Sequence, residues 1–175
     1  MKGPLIFLDI DGVLNTHDFN PLAKSNTIDR DKIDHLNMII LVTDARIVLS
    51  SAWRYHYHRN EMTIAGLDWL LRAFGLAAGP DEHTPRVCGV TPADTMMDGK
   101  PKPDERGEQI TRWRYEQLHC GPYVVIDDGG IDPETRLWTG IGIDTAGHPV
   151  VWTDSAVGLR RVEAEKAIAI LRGEA

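Results

Sequence analysis

Two cysteines, Cys88 and Cys120, are all the thiol chemistry that the 175 residues carry. That is too few for a disulfide framework, and neither has a partner at zinc-ligand spacing, so both are expected to be buried free thiols. The seven histidines form no helical pair and no HExxH pattern for zinc, which leaves most of them as surface or capping residues. No apolar run is long enough for a bilayer or for the core of a signal peptide, because the N-terminal stretch is broken by Asp9 after a few residues. The expectation is a soluble, cytoplasmic protein that does not engage a membrane. A net charge of −7 argues against broad, sequence-blind adhesion to nucleic acid while leaving room for a local basic groove. No repeat, low-complexity segment or composition shift divides the chain, and 42% hydrophobic residues suffice for a sizeable core, so a single domain over residues 1–175 is expected.

What is present is concentrated in the run Leu5-Ile6-Phe7-Leu8-Asp9-Ile10-Asp11-Gly12-Val13. Leu5 to Leu8 read as a buried parallel strand. Residues i and i+2 leave a strand on the same face, so Asp9 and Asp11 aim into one small volume. Two carboxylates that close repel unless a cation lies between them, one is protonated, or one moves protons while the other stays ionised. Gly12 removes a Cβ where the chain turns and lets a phosphate approach the backbone N–H groups. A calcium loop of the EF-hand type is excluded, because its twelfth position, which requires Glu, is Asn20 when counted from Asp9. The plainer reading of such acidic residues is a turn or helix cap; the pairing after a buried strand favours catalysis.

Apolar runs at Leu5 to Asp9, Arg46 to Ser50, Arg86 to Val90, Tyr123 to Asp127 and Val150 to Thr153 are candidate strands. Helical spacing joins Ile33, Leu36, Ile40 and Leu41, then Leu67, Leu70, Leu71 and Phe74, then Ile110, Trp113 and Leu118, and a last helix is expected from about Ala156 to Leu171. This alternation is the pattern of an α/β domain with a mostly parallel central sheet covered on both faces. Such sheets bind ligands beyond the carboxyl ends of their strands, and the unusual polar residues fall at those ends. Ser50 and Ser51 follow the second run, Lys100, Lys102 and Arg106 precede or open the third helix, and Asp127-Asp128 follow Val124-Val125-Ile126. Adjacent carboxylates there suggest a hard cation with oxygen ligands, magnesium above all, against the plain turn that Asp127-Asp128-Gly129-Gly130 would also make.

In this order the four elements resemble the motifs of the haloacid dehalogenase-like (HAD) superfamily of phosphatases and phosphotransferases. More narrowly, Leu49-Ser50-Ser51-Ala52-Trp53-Arg54, Arg106-Gly107-Glu108-Gln109-Ile110 with Trp113, and Val124-Val125-Ile126-Asp127-Asp128 look like the HAD domains of RNA-repair and polynucleotide kinase-phosphatase proteins. The resemblance implies a single Rossmann-like three-layer domain. It implies a magnesium-dependent phosphomonoesterase in which Asp9 attacks phosphorus and forms an aspartyl-phosphate. Asp11 would protonate the leaving oxygen and then deprotonate the attacking water. Magnesium would be held by the Asp9 carboxylate, the Asp11 backbone carbonyl and the Asp127-Asp128 pair, with Asp128 as direct ligand and Asp127 orienting it. Gly12, Ser50 or Ser51, and Arg106 or Lys102 would bind phosphate. Ser50 is preferred because it follows the apolar run directly, and Arg106 because it opens a helix that Asp104 would cap. Lys100 and Lys102 also fit solvated charges of a Pro-rich loop.

The short stretch Asn15 to Thr27, and the core-like content of Tyr55 to Pro103, imply a minimal cap or none and an open site. A phosphorylated small molecule or a nucleic-acid end would be the substrate, and nothing in the sequence points to an obligate protein partner. Arg54-Tyr55-His56-Tyr57-His58-Arg59 interleaves aromatics with bases as a single-strand nucleic-acid surface does; a polar loop and first helical turn, with Trp53 packing inward, is the preferred reading. The competing functions are a phospho-accepting receiver-like signalling module and a catalytically inactive phosphate-binding domain. The segment Gly129 to Pro149 reads as either an extended loop or a small hairpin.

Overall fold

The computed structural model describes residues 3–16, 28–79, 81, 84–92, 106–129 and 147–175. Five strands lie in one sheet: β1 (Leu5–Leu8), β2 (Arg46–Leu49), β3 (Val87–Val90), β4 (Tyr123–Asp127) and β5 (Val150–Trp152). Their order is β3-β2-β1-β4-β5, and every neighbouring pair is parallel. All four residues of β1 are buried, as befits a central strand covered on both faces. Its alternate side chains serve two layers. Ile6 and Leu8 join Ile47, Leu49, Val124 and Ile126 on one face, where α1 (Arg30–Thr43), α3 (Ile64–Ala73) and α5 (Arg161–Arg172) pack. Leu5 and Phe7 join Val48 and Val125 on the other, under Ile110 and Trp113 of α4 (Arg106–Glu116). A short helix α2 (Arg54–His58) follows β2.

From β1 the chain proceeds outward through β2 and β3, then returns to lay β4 on the opposite side of β1. The connections leave β1 and β4 toward opposite sides of the sheet, so their carboxyl ends form its switch point, the ligand position of doubly wound sheets.

Several expectations need correction. Cys120 is exposed and Cys88 half-buried, so neither is a buried thiol. Leu41 turns outward, because α1 buries Ile33, Leu36, Ile39 and Ile40 instead. Leu118 lies past the end of α4, with φ of 48°, and is exposed. The last helix begins at Arg161 and not near Ala156. Residues 154–158 form a turn closed by an Asp154–Gly158 bridge, and Gly158 takes φ of 71° against the Val13 carbonyl, where a Cβ would not fit. Lys100, Lys102, Asp104 and most of the Gly129 to Pro149 segment lie outside the described residues. No helix among the described residues is long and apolar enough to cross a membrane.

Candidate active site

Asp9 leaves the end of β1 with its backbone N–H donating to Ile126 of β4 at 2.9 Å, so the sheet itself fixes its position. The chain then turns at once, as the N–H groups of Val13, Leu14 and Asn15 all donate to the Ile10 carbonyl. Gly12, with φ of 75°, sits where a Cβ would overlap the Asp128 carboxylate. Only glycine allows the first acidic loop to meet the second this closely. The Thr153 hydroxyl, just after β5, donates to the Gly12 carbonyl at 3.1 Å and holds the loop from the other side.

Asp9, Asp127 and Asp128 each bring a carboxylate oxygen within 4.8 Å of the others. Into this group reaches Arg106, the first residue of α4. Its Nη1 donates to Asp9 Oδ2 at 2.6 Å and also to Asp127 Oδ2. Asp9 Oδ1 accepts from the Ile10 N–H at 2.7 Å, and Asp127 Oδ1 from the Gly129 N–H at 2.8 Å. Burial pushes the Asp9 carboxyl up to about 7; Arg106 opposes the shift, while Asp127 and Asp128 add repulsion. One guanidinium among three crowded carboxylates leaves an excess of negative charge and hard oxygen donors. That donor set fits a divalent cation such as magnesium.

Ser50 and Ser51 are both fully buried, and their surroundings differ. The Ser50 N–H pairs with the Leu8 carbonyl at 2.8 Å, which places it at the end of β2 beside Asp9, and its hydroxyl has no partner among the described residues. The Ser51 hydroxyl accepts from the Trp53 N–H at 3.0 Å. Arg54 is fully buried, with Nη1 donating to the Ser51 carbonyl at 2.7 Å. It braces this loop and contributes nothing to a basic surface; the stretch around it is the helical turn α2.

Asp11 is partly buried next to this group, and its Oδ1 accepts from Asn15 Nδ2 at 2.8 Å and from Trp53 Nε1 at 3.3 Å. Asn15 also caps the turn through Oδ1, which accepts from the Gly12 N–H at 3.0 Å. Sequence reasoning missed Asn15, Trp53 and Thr153 as parts of the site. Thr153 carried a usable signal, since it follows an apolar run as Ser50 does. Trp53 carried none, being 42 positions from the residue it touches. His148 departs from the surface or capping role expected of most histidines and is buried: Nδ1 faces the Tyr123 hydroxyl at 2.9 Å and Nε2 the Gly107 carbonyl at 2.8 Å. Burial lowers its pKa, which favours the neutral ring donating from Nε2 to Gly107 and so bracing the start of α4 beside Arg106.

The family model described as the HAD domain in Swiss Army Knife RNA repair proteins matches residues 5–164, which span every strand and all the residues just described. Comparison with curated proteins and with solved structures returns no match. With Asp9, Asp11, Ser50, Arg106 and Asp127-Asp128 arrayed around the switch point of a parallel sheet, the chain belongs to the family of HAD domains found in Swiss Army Knife RNA repair proteins.

Proposed function

We propose that this domain is a magnesium-dependent phosphomonoesterase that removes terminal phosphates from nucleotides or nucleic acids through an aspartyl-phosphate on Asp9. The observation that carries this reading is the pairing of Asp9 with Arg106 beside the buried Ser50 hydroxyl, which has no partner among the described residues. Asp9 Oδ2, held at the end of β1, attacks phosphorus in line as the bond to the leaving oxygen breaks. Arg106 stabilises the charge on the transferring group. Ser50 donates to a phosphate oxygen. Gly12 serves by lacking a Cβ beside Asp128 and not, as expected from the sequence, by offering its N–H, which Asn15 takes within the turn. Asp11 gives a proton to the leaving oxygen and recovers one from the water that cleaves the intermediate.

Asp9, the Asp11 carbonyl and Asp128 would hold the magnesium ion. Asp127, whose two oxygens are taken by Gly129 and Arg106, orients Asp128 and Arg106. When bound, the ion supplies positive charge that lets one anion attack another.

The family match supports a nucleic-acid end as substrate, and so does a cleft of about 330 Å³ lined by Tyr57, His58, Val90, Pro92 and Trp113 among others. His58 Nε2 lies 3.0 Å from the Thr91 carbonyl, and the Thr91 N–H donates to Leu49, the neighbour of Ser50. A terminal base stacked on Tyr57 would therefore lie one strand from the phosphate. Tests with 3′- and 5′-phosphorylated oligonucleotides and a simple aryl phosphate examine this directly. With Tyr57→Ala, KM for the favoured oligonucleotide is expected to rise about 5- to 150-fold, the worth of one stacked base at ~1–3 kcal/mol, and KM for the aryl phosphate far less. Equal changes on both substrates would remove the nucleic-acid reading.

A further inference from the structure

We infer that Trp53 is a positioning residue that fixes the rotation of the Asp11 carboxyl, and so which of its oxygens meets the leaving group. The inference rests on the phosphatase reading, and adds to it a residue and an atom.

Asp11 Oδ1 receives two N–H groups, from Asn15 Nδ2 at 2.8 Å and Trp53 Nε1 at 3.3 Å. Neither donor can release its hydrogen or accept one in exchange: an indole nitrogen only donates, and the Asn15 carboxamide uses its oxygen on the Gly12 N–H. Oδ1 is thus saturated as an acceptor whether Asp11 is ionised or neutral. Oδ2 accepts no hydrogen bond among the described residues, so it is the oxygen left free to meet the leaving group.

The Trp53 ring is itself held. It packs against the core cluster beneath the sheet, its backbone N–H is bound by the Ser51 hydroxyl, and Arg54 next to it is buried against the Ser51 carbonyl. The loop that carries the phosphate-binding Ser50 therefore also sets the rotation of the Asp11 carboxyl, coupling phosphate position to proton position. In the first step Oδ2–H passes its proton to the leaving oxygen as the phosphorus–oxygen bond breaks and the bond to Asp9 forms. In the second, Oδ2 takes a proton from water as the water oxygen bonds to phosphorus and Asp9 departs. Oδ1 stays anchored in both.

The readout is the ratio of kcat/KM for an alkyl phosphate to that for an aryl phosphate with an acidic phenol. Expulsion of an alkoxide needs the proton and expulsion of such a phenolate hardly does, so a misplaced acid lowers the ratio whereas a damaged fold or phosphate site lowers both values together. Trp53→Phe keeps the packing and removes the N–H, and is expected to lower the ratio by about 10- to 100-fold, part of the ~10²–10⁴ that a positioned proton donor contributes. Asn15→Ala, measured alongside, is expected to shift the ratio in the same direction. An unchanged ratio in both variants, with the wild-type chain active on both esters, would overturn the positioning role. No turnover of either ester by the wild-type chain would instead overturn the phosphatase reading, and the inference with it.

Discussion

Arg106 Nη1 lies 2.6 Å from Asp9 Oδ2, and both side chains are almost wholly removed from solvent. The same nitrogen reaches Asp127, so one cation joins the ends of β1 and β4. Removing one partner of a buried pair strands the other, at roughly 3–5 kcal/mol. Arg106→Ala is therefore expected to lower unfolding stability by about that amount at pH 8, and by less at pH 5, where Asp9 escapes its charge by taking a proton. Phosphate release should fall by about 10²- to 10³-fold, as when one donor to a transition-state charge is lost. Chemical denaturation at the two pH values, with steady-state kinetics, checks both.

The raised pKa of Asp9, about 7, makes stability depend on pH in a definite direction. Between about pH 4 and pH 7 the unfolded chain has released this proton while the folded chain retains it. The contribution is thus fully present below the unfolded value and is lost as pH rises through about 7. Without divalent cations, the melting temperature should fall between pH 5 and pH 8 more steeply for the wild-type chain than for Asp9→Asn. Added magnesium should raise it more at pH 8 than at pH 5, because a cation competes with the proton for the same carboxylates.

Ser50 and Ser51 should separate cleanly. Ser50 has a buried hydroxyl with no partner among the described residues, so Ser50→Ala should leave stability nearly unchanged while weakening inhibition by inorganic phosphate about tenfold, the worth of one hydrogen bond to a charged group at ~1.5 kcal/mol. Ser51→Ala should do the reverse. It strands the Trp53 N–H, at a cost of about 1 kcal/mol, with much less change in phosphate inhibition. Phosphate inhibition that follows Ser51 would reassign the role.

How much of this was legible in the sequence depends on how local each feature is. Asp9, Ser50 and Asp127 stand directly after apolar runs, and the register that puts them at one end of a sheet follows from all neighbouring strands being parallel. Gly12 was legible as a turn, although not as the place where Asp128 comes closest. The start of α5 was misjudged because the apolar spacing runs back through Ala156 and Val157, while the left-handed Gly158 ends the turn before the helix begins. Arg54 looked polar and is fully buried, because its partner is a backbone carbonyl, which no residue type announces. Trp53 and Asp11 meet only after β2 docks on β1, so their contact is a property of the fold.

The most direct test of the central claim is phosphate release from an aryl phosphate by the wild-type chain and by Asp9→Asn, each with magnesium and with a chelator. The expected result is magnesium-dependent turnover by the wild-type chain that the variant abolishes. Equal turnover by both proteins, or turnover that the chelator leaves intact, would contradict a magnesium-assisted attack by Asp9.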